Sequence, residues 1–270
     1  MNARGMVRRA GLTLGVCLLA VSAHAQATAT QKPAQQTFEP KVGQAGKDVV
    51  WVPTSQALVD KMLDMAKVTP QDFVMDLGSG DGRTVITAAK RGATAMGIEY
   101  NPDMVELSKA NAAKENVTAK ATFLKADLYE TDFSKATVIT MFLLPEINVK
   151  LRPKILNLKP GTRVVSNSFT MEDWEADQTE TISGECTSWC TALLWIVPAK
   201  VDGTWTTPQG DLKITQTYQK ITGTLGAAKI DGKMNGDQIT FTSGKTTYTG
   251  TVNGTTMQGT APSAWTATKR

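Results

Sequence analysis

A chain of 270 residues with 41% hydrophobic and 20% charged residues has apolar content for one large core, or for one medium and one small core. Its formal net charge is +4, but Arg4, Arg8 and Arg9 stand in residues 1–25 with no acid beside them, so the remainder carries only +1. It shows no lysine–arginine stripe, which removes the electrostatic basis for nucleic-acid binding.

The single histidine, His24, lies in that same first segment. Beyond it, Ser-His-Asp and Cys-His nucleophile systems and histidine-ligated zinc are excluded, and no metal is expected. Any general base must be Asp, Glu, Tyr, Lys or water.

Taken in chain order, residues 1–25 combine the three basic residues with an apolar stretch from Leu12 to Val21 and small residues at Ala23 and Ala25. This is the pattern of a secretory signal cleaved after Ala25, so the mature protein is expected in the periplasm or outside the cell. The stretch is shorter than the ~20 apolar residues of a spanning helix. Arg8-Arg9 also hints at twin-arginine export, although the usual flanking residues are missing. Residues 26–46 are rich in Ala, Gln, Thr and Pro and read as a disordered linker.

The first folded domain is assigned to residues 47–199. Leu58, Met62, Met65 and Ala66 recur at helical spacing, which predicts a helix over 55–66 capped by Thr54. Strands and helices then alternate: strand 73–75, helix 83–90, strand 93–98, a helix opened by Pro102 and running to about 114, strands 121–125 and 137–143, helix 146–156 and strand 162–166. Strands at 179–183 and 192–197 have no helix between them and form a final antiparallel pair. The expected fold is α/β, a doubly wound, mostly parallel seven-strand Rossmann-like sheet.

Cys186 and Cys190 are the only cysteines after Cys17. An even pair in an oxidising compartment favours a disulfide, while a four-residue spacing needs a bend before the Cβ atoms meet, so bonded and free thiols both stand. Residues 200–270 change character. Thr and Gly dominate, Asp231-Gly232, Asn235-Gly236 and Asn253-Gly254 are hairpin-turn signals, and 212–215, 238–241 and 247–250 alternate as strands do. A small all-β antiparallel domain is expected there, barrel or sandwich.

The chemistry concentrates at strand ends. Asp76-Leu77-Gly78-Ser79-Gly80-Asp81-Gly82 joins a strand to a helix through a glycine-rich turn that brings backbone close to a ligand. Asp76 and Asp81 would repel a dinucleotide pyrophosphate but suit the sulfonium and ammonium of S-adenosylmethionine (SAM). Glu99, ending the next strand beside Tyr100, can accept both ribose hydroxyls, and Asp127 with Leu128, after the strand that follows, can receive the adenine. The three acids fall on the binding edge of an open α/β sheet.

Residues 49–174 resemble the seven-strand class I methyltransferases, and within them the lysine methyltransferases of mitochondrial inner-membrane proteins and their bacterial relatives. The resemblance rests on Trp51-Val52-Pro53-Thr54, on Asp76 through Arg83, on Glu99 with Asn101-Pro102, on Phe142-Leu143-Leu144-Pro145, on Leu151-Arg152 and on Pro160 through Ser166. It implies SAM as cofactor and places Trp51, Pro53, Thr54, Leu143 and Pro145 on the substrate side. Phe142 to Pro145 stand where other amino-methyltransferases carry Asn-Pro-Pro-Tyr; without that motif, planar base and amide nitrogens are disfavoured acceptors. Those relatives carry neither a cleaved signal nor the C-terminal β domain.

The expected function is SAM-dependent N-methylation of an amine, such as a protein lysine, by in-line displacement in which positioning and desolvation do most of the work. The acceptor must lose a proton, and Tyr100, Glu99 or solvent are the candidates to take it. The acceptor is a protein or a small amine, and association with the cell envelope follows from export. The other reading is an exported SAM-binding or envelope ligand-binding protein without turnover. The sequence does not specify an oligomeric state.

Overall fold

The computed structural model describes residues 38–270. The expected signal at 1–25 and the first part of the expected linker lie outside the described residues. Residues 38–46, assigned to that linker, are tied down. The Gly43 N–H donates to the Trp51 carbonyl, the Trp51 N–H to the Gln44 carbonyl and the Gly46 N–H to the Val49 carbonyl, each at 2.9 Å, around a bridge between Ala45 and Val50. Composition alone misses this because the polar segment owes its order to backbone pairing and to the cleft it borders, not to a core of its own.

Helix α1 (Gln56–Met65) precedes the sheet. Its N-cap is Ser55, whose side chain accepts the Leu58 N–H at 3.3 Å, rather than Thr54. Thr54 is used elsewhere: its hydroxyl accepts a bond from the Asn167 amide at 3.2 Å. There follow β1 (Phe73–Leu77), α2 (Arg83–Lys90), β2 (Thr94–Glu99), α3 (Pro102–Lys114), β3 (Ala121–Lys125), β4 (Val138–Met141), α4 (Pro145–Ile155), β5 (Arg163–Asn167), β6 (Gln178–Thr181) and β7 (Thr191–Ile196). The sheet order is β3-β2-β1-β4-β5-β7-β6. The first five of these strands run parallel and β7 runs antiparallel to both its neighbours.

Period-two alternation sorts the core into two layers. From β1, Val74 enters the layer shared with Leu58, Val59, Leu63 and Val85 of α1 and α2. Its neighbours Met75 and Leu77 face the other layer, with Ile147, Leu151 and Ile155 of α4. All four residues of β4 are buried, as a central parallel strand covered on both faces requires. The chain crosses from one half of the sheet to the other between β1 and β4, which leaves a crevice at the carboxyl ends of those strands.

The second domain is a closed eight-strand antiparallel barrel, ordered β10-β11-β12-β13-β14-β15-β8-β9. Its strands are β8 (Gly203–Thr207), β9 (Gly210–Thr217), β10 (Lys220–Leu225), β11 (Ala228–Asn235), β12 (Gln238–Ser243), β13 (Thr246–Asn253), β14 (Thr256–Ala261) and β15 (Trp265–Lys269). Closure between β15 and β8 removes the free edges, and Trp205, Phe241, Met257 and Trp265 fill the interior. Asn235-Gly236 and Asn253-Gly254 are hairpin turns with left-handed glycines. Asp231-Gly232 is not a turn. It lies inside β11, where Gly232 pairs with Ile221 and Phe241 and where a Cβ would stand 2.2 Å from the Thr240 carbonyl oxygen. Here glycine serves close strand approach, not chain reversal.

The barrel docks through the β9–β10 turn. Tyr218 stacks on Trp174 with ring centroids 5.8 Å apart and donates its hydroxyl to Asp173 at 2.8 Å. The Gln219 amide donates to the Glu175 carbonyl at 2.8 Å, and Lys220 pairs with the Glu175 carboxylate at 2.7 Å. Among the described residues no helix is long and apolar enough to cross a membrane.

Candidate active site

The crevice beyond β1, β2 and β4 is a cleft of about 1060 Å³, open mouth included. Asp76, Gly78, Ser79, Gly80 and Asp81 from the loop, Glu99 and Tyr100 from the end of β2, and Asp127 and Leu128 after β3 all line it. Trp51, Pro53, Thr54 and Leu143 form walls of the same cleft. Two residues expected at the site are not at its surface. Gly82 caps α2 with φ at 83°, and a Cβ there would meet Phe123 and Ser108 at under 3 Å, so its lack of a side chain serves helix packing. Pro145 opens α4 at the first helical position, where its fixed φ is favoured and its missing N–H costs nothing.

The glycine loop is close-packed. Gly80 has φ at 54°, and a Cβ on it would lie 2.7 Å from the Trp51 indole nitrogen. This explains why a tryptophan far upstream belongs with the loop: its ring rests on the one face that no side chain can occupy. Glu99 is held by backbone, since the Gly80 N–H donates to one carboxylate oxygen and the Asn101 N–H to the other, each at 2.9 Å. The remaining lone pairs are fixed toward the cleft, which suits an acceptor of ribose hydroxyls.

Asp76 is 6% exposed, and its carboxylate accepts the Thr140 hydroxyl at 2.6 Å. Burial pushes its carboxyl up from 3.8 to about 7; the Thr140 bond opposes the rise, and the charges of Asp81 and Glu99 add to it.

Asp81 does not share this role. Arg83 grips its carboxylate with Nε at 3.0 Å and a terminal nitrogen at 2.6 Å, and its other terminal nitrogen donates to the Thr54 carbonyl at 2.7 Å. The charge expected to attract a cationic ligand is neutralised locally, and Arg83 instead staples the loop to the Trp51–Thr54 segment. Asp127 is also engaged. The Lys47 ammonium lies 2.5 Å from it and, with the Tyr129 N–H, holds its carboxyl below the usual range. Lys47 also stands 5.0 Å from the centroid of the Tyr100 ring, which is half exposed.

Sequence reasoning gives Lys47 no role, because it precedes Asp127 by eighty positions and sits at the edge of the expected linker. It gives Arg83 none beyond its place in the motif, although an arginine two residues after a loop acid was a readable signal.

SAM fits these residues on two counts. Asp76 is a buried carboxylate with no cation beside it among the described residues, and Ser79 Oγ is buried without a hydrogen-bond partner there. Asp76 and Ser79 can hold the amino-acid part, Glu99 the ribose and Asp127 the adenine side.

Residues 76–178 match the ANTKMT methyltransferase domain. The chain is 47% identical over 129 residues to a protein-lysine N-methyltransferase of Saccharolobus islandicus (strain REY15A), covering 47% of this chain and 80% of that one. It is 33% identical over 129 residues to the adenine nucleotide translocase lysine N-methyltransferase of Mus musculus, with 47% of this chain but only 56% of the mouse protein matched. A crystal structure of an RNA methyltransferase from Salinibacter ruber in complex with S-adenosyl-L-homocysteine superposes with a TM-score of 0.52 at 43% identity, over 56% of this chain and 96% of that one. The chain therefore belongs to the protein-lysine N-methyltransferase family and is a SAM-dependent methyltransferase.

Proposed function

We infer that this protein transfers the SAM methyl group to the side-chain amine of a protein lysine. What carries the reading is the likeness to the archaeal protein-lysine N-methyltransferase over most of that protein's length, joined to a cleft whose acceptor side is apolar. SAM supplies a methyl group already activated by its bond to a sulfonium. On the acceptor side within the cofactor cleft, the chain presents Val52 and Leu143. Such walls disfavour a charged ammonium and so promote the neutral amine, whose pKa in water is near 10.4.

In the transfer, a bond forms between the amine nitrogen and the methyl carbon as the carbon–sulfur bond breaks. The positive charge passes from sulfur to nitrogen, and the proton given up by the amine passes to water. With both Glu99 oxygens engaged by backbone amides, the chain's contribution is positioning, exclusion of water and the buried negative charge of Asp76.

The reading extends to a protein working outside the cytoplasm, on cell-envelope proteins. Its support is the signal pattern of residues 1–25 and the disulfide between Cys186 and Cys190, whose Cα atoms lie 5.7 Å apart across the β6–β7 connection.

The test is methyl transfer from isotope-labelled SAM to envelope proteins, with modified residues located by mass spectrometry. Label on lysine side chains is expected. Label confined to nucleic acid or to small amines would overturn the acceptor assignment, and label only on cytosolic proteins in the living cell would overturn the location.

A further inference from the structure

Beside the cofactor cleft lies an aromatic surface that shares Phe142 with it. Phe142 stacks on Phe169 with centroids 5.7 Å apart and planes 21° apart, and Trp189 tilts over Phe142 at 6.0 Å and 60°. Trp189 is nevertheless 47% exposed. With Val50 and Leu144, these rings line an open groove of about 960 Å³. Val50 and Phe142 also line the cofactor cleft, so the two spaces adjoin and share walls just beyond the end of β4. Asp48 supplies a carboxylate on the shared rim, 3.8 Å from a Lys47 ammonium whose nearer partner is Asp127.

The flanking rings are held, not merely placed. The Phe169 carbonyl accepts the Ser166 hydroxyl at 2.7 Å and the buried Asn148 amide at 3.3 Å. Trp189 has φ at 52°, a backbone conformation rare for a bulky residue, inside the short loop that the Cys186–Cys190 disulfide closes. The match to the methyltransferase domain ends at residue 178, so Trp189 and both cysteines lie beyond it.

Exposed aromatic faces with a carboxylate at the rim suit an organic cation, which gains from the ring quadrupoles and from the negative charge together. We propose that Phe142, Phe169 and Trp189, with Asp48, form the acceptor subsite. It receives the ammonium-bearing side chain of a lysine on its way to the cofactor cleft, and the Cys186–Cys190 disulfide positions Trp189 over it. This rests on the lysine-acceptor reading above.

The experiment uses the full, disulfide-bonded protein with S-adenosylhomocysteine present and follows the indole N–H resonances of its six tryptophans. Trp189→Phe identifies the Trp189 signal. The probe is a short peptide carrying one trimethyllysine. The Trp189 resonance is expected to move and saturate while that of Trp205, whose indole bonds inside the barrel domain to the Val201 carbonyl, stays fixed.

In transfer assays with the unmethylated peptide, Trp189→Ala is expected to raise KM about tenfold, Trp189→Phe to recover most of that loss, and SAM affinity to stay unchanged. Joint Cys186→Ser and Cys190→Ser substitution should raise KM in the same sense. Transfer that proceeds with no Trp189 shift and an unaltered KM in Trp189→Ala would sink the subsite and leave the transferase standing. A saturating Trp189 shift with no transfer to lysine would sink the lysine reading and leave the cation site standing.

Discussion

Replacing Asp76 by asparagine separates what this carboxylate costs the empty protein from what it gives the loaded one. Unfolded, an aspartate ionises near 3.8; in the folded, ligand-free cleft, burial delays ionisation to about 7. Because the folded pKa is the higher of the two, no penalty exists below the unfolded value. Stability then falls as pH rises between the two values and levels off above about 7.

The full rise corresponds to about 4 kcal/mol. Integrated between about pH 5 and about pH 8, the change is about 2 to 3 kcal/mol. Asparagine never ionises, keeps the oxygen that accepts the Thr140 hydroxyl and has nearly the same volume. Asp76→Asn should therefore stabilise the ligand-free methyltransferase domain more at about pH 8 than at about pH 5, by roughly 5 to 10 °C in Tm at ~2–4 °C per kcal/mol.

The same substitution should weaken SAM binding by about ten- to a hundredfold at the higher pH, the worth of a charged hydrogen-bonding partner. In the natural protein, SAM affinity should rise as pH climbs toward 7, and that slope should vanish in the variant. Calorimetry of unfolding and of SAM binding at the two pH values reads both effects. A Tm difference of equal size at both, or undiminished SAM affinity in the variant, would refute a buried, cation-seeking Asp76.

Other outcomes follow from the same geometry. Gly80→Ala forces a Cβ toward Trp51 at a left-handed φ; a loss of about 1–2 kcal/mol in stability and at least about tenfold in SAM affinity is expected by calorimetry, and unchanged affinity would show that the loop can yield. Arg83→Met leaves Asp81 and the Thr54 carbonyl without their partner and should cost about 1–3 kcal/mol in denaturant unfolding. Adding Asp81→Asn should recover part of it, whereas strictly additive losses would contradict the staple. Tyr218→Ala removes the stack on Trp174 and the bond to Asp173, at a cost of about 2–3 kcal/mol. The barrel and the sheet domain should then unfold in separate calorimetric transitions, and a single transition with unchanged Tm would show that the docking lies elsewhere.

The parts of this molecule legible in the sequence are those governed by local rules. The strand–helix alternation from 73 to 166 reads directly because each strand is a short apolar run and Pro102 opens its helix at a position that favours helix starts. The glycine loop, Glu99 and Asp127 reach one cleft because strand ends in a parallel sheet share an edge.

What failed was contact chemistry between distant residues. Asp81 reads as a free acid until Arg83 is seen to close on it, and Asp127 until Lys47 is. Asp231-Gly232 carries a turn signal, but close strand approach across Gly232 overrides it. The aromatic groove was invisible because Phe142, Phe169 and Trp189 come from three separate connections, none with a periodic pattern of its own.

The most direct test of the central claim is a transfer reaction with deuterated-methyl SAM, run on the full protein with its disulfide intact against a cell-envelope protein extract. The account predicts the deuterated methyl on lysine side-chain nitrogens, with most of the signal lost in Asp76→Asn. SAM bound at saturation, as read by calorimetry, with no label on any lysine would contradict it.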